Sequence, residues 1–286
     1  MKFIRYFFEY VFIKIFFFIF KIIGYEKSSN LGEKIGRFIG PISRDKTLIF
    51  RNLEKSNIGQ NKIDREKIIN QMWGNYGRIF AEYPFLKLFS NSELSSYIEI
   101  EGEQILKDLV NKKKNAVFIS GHFNNFELMA MHIEKAGINL AAVYRPLNNY
   151  FLNSTMENIR KNFICKNQIK KGMAGSRALL KLVKSGYSVA LMIDQRVSEG
   201  IKSKFFNEEA LTTTIPAQLV KKFNLEVIPV YIERKDNFYF KMYVDKPILF
   251  EERASIQNIT DELNDVLEKK VLKNASQWIW SHNRWK

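Results

Sequence analysis

The longest apolar stretch of the chain is its first. Residues 3–23 read FIRYFFEYVFIKIFFFIFKII, interrupted only by Arg5, Glu9, Lys14 and Lys21. At about 1.5 Å per residue, a helix of this length matches a hydrocarbon core of ~30 Å. Lys14, near the middle, would cost ~3 kcal/mol on insertion, which the neighbouring Phe and Ile side chains offset. On a helical wheel Lys2, Arg5 and Glu9 cluster, while Lys14 and Lys21 lie on another face. The segment therefore lacks the single polar stripe of an amphipathic surface helix. No small-residue cleavage site follows it. Residues 1–24 are expected to form a membrane-anchoring helix, spanning the bilayer or lying deep in its interface.

Beyond this segment the chain alternates between helical spacing and short apolar runs. Residues 25–100 read as mainly helical, and 63–80 places Ile68, Ile69, Met72 and Ile79 on a core face. Trp73, Tyr76 and Phe80 in the same run suit either a core or a lipid groove. Arg78 and Glu82, four residues apart, are spaced to pair on one helix face. Runs at 116–119, 140–144, 188–193, 225–232 and 238–244 read as buried strands, the last two joined by a turn at Asp236-Asn237. Helices are predicted over 153–163, 176–184 and 255–273, and another should begin beside Pro216. The stretches KNQIKKGMAGSR (166–177) and 200–214 read as loops. Strands alternating with helices predict an α/β fold, a central mixed sheet flanked by helices, in one domain over 25–286.

Charge narrows the partners. The chain of 286 residues carries 45 basic and 30 acidic residues, a net +15, which favours a polyanionic partner. The basic residues are spread along the chain rather than gathered in a recognition motif, so nucleic acid is not expected. The run Lys112-Lys113-Lys114 suits a solvated turn and would also suit a docking acidic protein. Aromatic residues make up 14%, with 24 Phe, a load that suits one face in lipid. Cys165 is the single cysteine, so no internal disulfide forms; it reads as an inert thiol. His122, His132 and His282 form no ligand cluster, and neither a metal nor a cofactor is expected.

Chemistry concentrates in 116–137, AVFISGHFNNFELMAMHIEKAG, which reads as buried strand, tight turn and helix, stopping at Gly137. His122 and Glu127 would lie ~140° apart on a single helix. With His122 in the turn and Glu127 in the first helical turn, they can meet. A carboxylate there can hold one imidazole nitrogen and leave the other free as a base. Arg145 follows the 140–144 strand and should lie at the same sheet edge, where an arginine suits a phosphate or a developing oxyanion. Asp194 and Gln195 end the 188–193 strand and suit substrate positioning. The tail carries Trp278, Trp280, His282, Arg284 and Trp285, which suits a membrane surface or packing against the body equally well.

GHFNNFE resembles the signature of the lipid A late acyltransferases, the lauroyl and myristoyl transferases of Gram-negative bacteria. Its usual form is a Gly-His-Phe-Gly-Asn-Trp-Glu-like string. Here Asn124 stands for the second Gly and Phe126 for the Trp, while His122, Asn125 and Glu127 are kept. WGNYGRIFAEYP (73–84), YRPLNN (144–149), MIDQR (192–196), FF with ALTTT (205–214) and QWIWSHNRWK (277–286) also resemble family blocks, in the family's order. The chain departs from the pattern at Arg196, where an acidic residue is usual, and at Ala275-Ser276, where Pro-Glu is usual.

The resemblance implies a glycerophosphate-acyltransferase-like fold with an N-terminal anchor. It implies transfer of an acyl chain from acyl carrier protein to a hydroxyl of a Kdo-bearing lipid A precursor. In that reading His122 is the general base and Glu127 orients it, with Arg145, Asp194, Gln195 and Asn125 binding substrate. There is no Gly-x-Ser-x-Gly elbow and Cys165 is not beside the motif, so no acyl-enzyme is expected. An acidic carrier fits the net +15. The chain would act as a monomer at the inner membrane, its catalytic domain on the cytoplasmic face. One alternative is an acyltransferase for another membrane acceptor, a glycerophosphate or glycolipid, because the His-x4-acid pattern is shared. A different class, a basic membrane-associated binding protein, leaves GHFNNFE unexplained.

Overall fold

The computed structural model describes residues 2–286. The first part is helical: α1 (Lys2–Ile23), α2 (Tyr25–Ser43), α3 (Lys46–Lys55), α4 (Lys62–Glu82) and the short α5 (Leu86–Ser90). Strands and helices then alternate through β1 (Ile98–Glu101), α6 (Glu103–Asn111), β2 (Ala116–Ser120), α7 (Glu127–Lys135), β3 (Leu140–Tyr144), α8 (Tyr150–Phe163), β4 (Asn167–Lys170), α9 (Met173–Lys184) and β5 (Ser188–Met192). The chain closes through β6 (Ile201–Phe205), β7 (Glu208–Thr212), α10 (Ile215–Phe223), β8 (Glu226–Arg234), β9 (Phe240–Val244) and α11 (Ile256–Lys273).

Among the described residues seven strands form one mixed sheet in the order β1-β9-β8-β2-β5-β3-β4. β8 and β9 pair antiparallel; the other neighbours pair parallel. This is the expected α/β architecture. All five residues of β2 are buried, Val117 lying between Val189 of β5 and Val227 of β8. A strand covered by helices on both faces reads as an unbroken apolar run rather than as alternation. Because β2, β5, β3 and β4 run parallel, the residues that follow them emerge at one edge, where ligands collect in such sheets.

Two stretches read as loops carry strands. Residues 201–212 form the β6–β7 hairpin, turned by Phe206 and Asn207, both at positive φ. Two such residues match the right-handed strand twist. The hairpin was obscured by its polar alternation and by the absence of a Gly at the turn. β4 is a four-residue edge strand inside KNQIKK, too short and polar to show a period.

α2 and α4 pack backbone to backbone. Gly32, Gly36 and Gly40, each four residues apart, line the contact on α2. A Cβ on Gly77 of α4 would lie 1.9 Å from Gly32 O and 2.8 Å from Gly36 Cα. This close approach displaces the expected Arg78–Glu82 pair. Arg78 turns to α2, bonding Asn30 at 2.9 Å and Ser29 at 3.0 Å and pairing with Glu33. Glu82 is fully buried and held by Arg234 of β8 at 2.6 and 3.0 Å. Partners from other elements replace the local i,i+4 contact, because a buried charge must be met from all sides.

α1 is a helix, as expected, but among the described residues no helix is long and apolar enough to cross a membrane. Instead α1 packs along the body. Phe17 and Phe20 are buried, whereas Phe8, Phe12, Phe18 and Ile22 point outward, each at least 60% exposed.

Candidate active site

The site grows from the turn after β2. Gly121 is needed there because a Cβ would lie 2.9 Å from the Phe123 ring and 3.2 Å from Asp194 Oδ2. Asn124 is in the left-handed region, φ 44°, which Asn tolerates better than most side chains. Its amide holds the turn by donating to Ile232 O at 2.9 Å and to Gln277 Oε1 at 2.5 Å. α7 then begins at Glu127 without a side-chain cap, and Asn124 is spent on the turn before it.

His122 stands in this turn with its side chain 21% exposed. Its Nδ1 lies 2.8 Å from Asp194 Oδ1, and its backbone N–H donates to Oδ2 at 2.7 Å. The Phe126 ring packs on the imidazole in a T-shaped arrangement, 5.0 Å between centroids. An ionised carboxylate can only accept, so Nδ1 carries the proton and Nε2 is left as the basic nitrogen. Among the described residues Nε2 has no hydrogen-bond partner. Burial disfavours the charged ring, but the Asp194 charge and hydrogen bond outweigh it and raise the His122 pKa above 6.5. Asp194 is fully buried, which alone would raise its pKa; His122 and Trp278 hold it ionised, below the usual carboxylate range.

The expected contact between His122 and Glu127 is not the one that forms. Glu127 Oε1 accepts from Arg160 Nε at 2.8 Å, Arg160 Nη2 at 2.6 Å and Tyr83 Oη at 2.9 Å. Starting a helix at Glu127 turns the carboxylate toward α8 and the turn after α4, away from the imidazole. Its charge still favours the imidazolium through space. Asp194, expected to bind substrate, takes the orienting place instead. Asn125, also expected at substrate, is fully buried, its amide donating to Glu82 Oε2 at 3.2 Å. It ties the turn to the Glu82–Arg234 pair.

Two expected residues do face outward. Arg145 follows β3, is exposed, and forms no ion pair among the described residues. Its charge reaches His282, whose imidazole is held neutral first by burial. Gln195 is partly exposed at the end of the β5 segment. The tail packs into the body. Trp278 and Trp280 are buried, Arg284 donates to Leu211 O at 2.9 Å, and His282 Nε2 accepts from the Arg196 N–H at 3.0 Å. Arg196 itself donates to the carbonyl of Lys286 at 3.2 Å.

Sequence reading missed Arg160, Tyr83 and the positioning place of Trp278. Arg160 and Tyr83 lie 33 and 44 residues from Glu127 and carry no local signal. Trp278 donates to Asp194 Oδ2 at 2.9 Å; the density of Trp in the last nine residues was the one available hint. Tyr76, one of the aromatics left open between core and groove, is half-buried near Asp194, and desolvation and that charge both raise its phenol pKa.

The geometry is that of a histidine oriented by a carboxylate at a sheet edge, and comparison with known proteins places the whole chain. The family described as bacterial lipid A biosynthesis acyltransferase matches residues 1–286. A lipid A biosynthesis acyltransferase of Haemophilus influenzae is 25% identical over 245 residues, 82% of this chain and 76% of that protein. The lipid A biosynthesis palmitoleoyltransferase of Escherichia coli K12 is 22% identical over 261 residues, 90% of this chain and 84% of that one. The lauroyltransferase of the same organism is 23% identical over 273 residues, 92% and 85%. A match along the whole length, with an oriented histidine in the turn after β2, makes this chain an acyltransferase of the lipid A biosynthesis acyltransferase family.

Proposed function

We propose that the protein moves a fatty acyl chain from acyl carrier protein to a hydroxyl of a Kdo-bearing lipid A precursor, with His122 as general base and Asp194 as its orienting partner. The observation that carries this is the 2.8 Å contact of Nδ1 with Asp194, which leaves Nε2 free at the open sheet edge. The acceptor hydroxyl gives its proton to Nε2 as its oxygen attacks the thioester carbonyl. Asp194 stabilises the imidazolium that forms. Arg145 and backbone N–H groups at the start of α7 steady the negative oxygen, or Arg145 holds an acceptor phosphate. The tetrahedral adduct then collapses, the C–S bond breaks, and the leaving thiolate recovers the proton from Nε2. The products are an ester and a free carrier thiol, with no acyl-enzyme. Glu127 holds Arg160 and adds negative charge that acts on the imidazole through space.

The exposed Phe and Ile face of α1 supports placement against a membrane surface, an apolar patch of the kind that marks interaction sites. A cytosolic thioester donor puts the catalytic body on the cytoplasmic side of the inner membrane. The test is transfer of a labelled acyl chain from acyl carrier protein to the Kdo-bearing precursor, with wild type and His122→Ala side by side. Product from wild type alone supports donor, acceptor and base together. No product from correctly folded wild type removes this donor–acceptor pair and directs the search to glycerophosphate or glycolipid acceptors.

A further inference from the structure

The net charge of this protein is not evenly placed. Residues 135–193 hold ten Lys and Arg and one acidic residue, a net +9 out of +15. That residue, Glu157, is already engaged by Lys170 at 3.1 Å and by Tyr144, and its pKa is lowered to about 2. Residues 158–193 are the longest stretch of the chain without Asp or Glu. The fold collects this segment at one end of the sheet, as β3, α8, the edge strand β4, and α9. On α9, Arg177, Lys181 and Lys184 recur at i, i+4 and i+7, so they form one stripe, and Leu179 and Val183 turn inward. Lys171 precedes this stripe at the active-site edge. All four cations are exposed and form no ion pair among the described residues.

We propose that the α9 stripe, with Lys171, is the docking surface for the acidic acyl carrier protein that brings the donor; this rests on the donor reading above. An anionic bilayer would also be attracted to cations, but a membrane face needs apolar anchors. Between 158 and 193 Met173 is the sole strongly exposed large apolar side chain, whereas α1 presents a whole face of them. The two surfaces thus divide the work: α1 meets lipid, and α9 meets a soluble acidic protein. β4 lies three strands from β2, roughly 14 Å away. The C-terminal ends of β4 and β2 share the edge where His122 stands; α9 runs back from that edge, so Lys171 and Arg177 lie nearest to it, and the donor's thioester arm would reach across from there.

The experiment compares full-length wild type with the charge-reversed triple variant Arg177→Glu, Lys181→Glu, Lys184→Glu. Acyl carrier protein and the same acyl group on free pantetheine serve as alternative donors. The expected result is a roughly ten- to hundredfold loss of kcat/KM with the carrier donor, shrinking as salt is raised. The kcat at saturating carrier and the rate with the pantetheine thioester should hold. A triple Gln variant, which keeps the stem packing, should lose less in the same direction. Flotation with phosphatidylglycerol vesicles should be unchanged. Unchanged kcat/KM with the carrier donor at low salt, or equal losses on both donors, would overturn the proposal. Lost vesicle binding with intact carrier kinetics would overturn it too, in favour of a membrane face. A wild type that takes no acyl group from the carrier at all would remove the donor reading, and the docking surface with it.

Discussion

Trp278 Nε1 donates a 2.9 Å hydrogen bond to Oδ2 of Asp194, joining residues 84 apart in sequence. The same oxygen receives the His122 backbone N–H, while Oδ1 holds the imidazole. A carboxylate gripped on both oxygens cannot rotate, so the ring it holds keeps one tautomer and one direction. Trp278→Phe keeps the packing and removes one donor. Less of the carboxylate's charge is then neutralised, and the His122 pKa should rise. Turnover should fall about 10- to 100-fold, with KM little changed and the acid limb of the pH profile moved upward. An unmoved limb would reduce Trp278 to a packing residue.

Asp194→Asn should cost roughly two to four orders of magnitude in turnover, because the amide can present its N–H₂ to Nδ1 and turn the tautomer. Without the neighbouring charge, the acid limb should fall. Glu127→Gln should move that limb less, since Glu127 acts on the ring through space and spends its hydrogen bonds on Arg160 and Tyr83. A pH titration of kcat/KM for both variants separates the two carboxylates. A larger shift in Glu127→Gln would restore Glu127 as the orienting group.

If His122 is the proposed base, it must be unprotonated in wild type, and its pKa is raised from 6.5 because the Asp194 charge and hydrogen bond overcome burial. Activity should therefore rise with pH through a value above 6.5. A limb at or below 6.5 would contradict the pairing. The same shift contributes stability that is fully present below the unfolded value of ~6.5 and is lost as pH rises through the folded one.

Gly77→Ala tests the α2–α4 contact. Its Cβ would fall 1.9 Å from Gly32 O, a backbone atom that cannot rotate away, so the helices must part. The expected cost is about 1–3 kcal/mol or slightly more, read as a Tm drop of several degrees. A variant as stable as wild type would mean that α2 shifts freely along α4.

Deleting α1 would strip Phe17 and Phe20 from the core, so membrane attachment is better tested at its surface. Phe8→Ser, Phe12→Ser and Phe18→Ser together should release most of the protein from sedimented liposomes without lowering Tm. Retained binding would place the attachment elsewhere.

What could be read along the chain was local. The apolar run of β2 announces a strand buried on both faces, and Gly121-His122 after it announces a tight turn. α4, α7 and α11 follow from helical spacing, α1 from the length of its apolar run, and the β8–β9 pair from its turn at Asp236-Asn237. The edge from which His122, Arg145 and Asp194 emerge follows from strands running parallel. Which carboxylate meets the imidazole did not follow. His122 and Glu127 are five residues apart, and spacing made them natural partners. The fold gave Asp194 to His122 because β5 lies beside β2 and ends level with it, at Ser120–Met192. It gave Glu127 to Arg160 because α8 crosses that face. A hydrogen bond needs atoms within about 3 Å, and for residues tens of positions apart that distance is decided by strand order and helix packing, which no local spacing encodes.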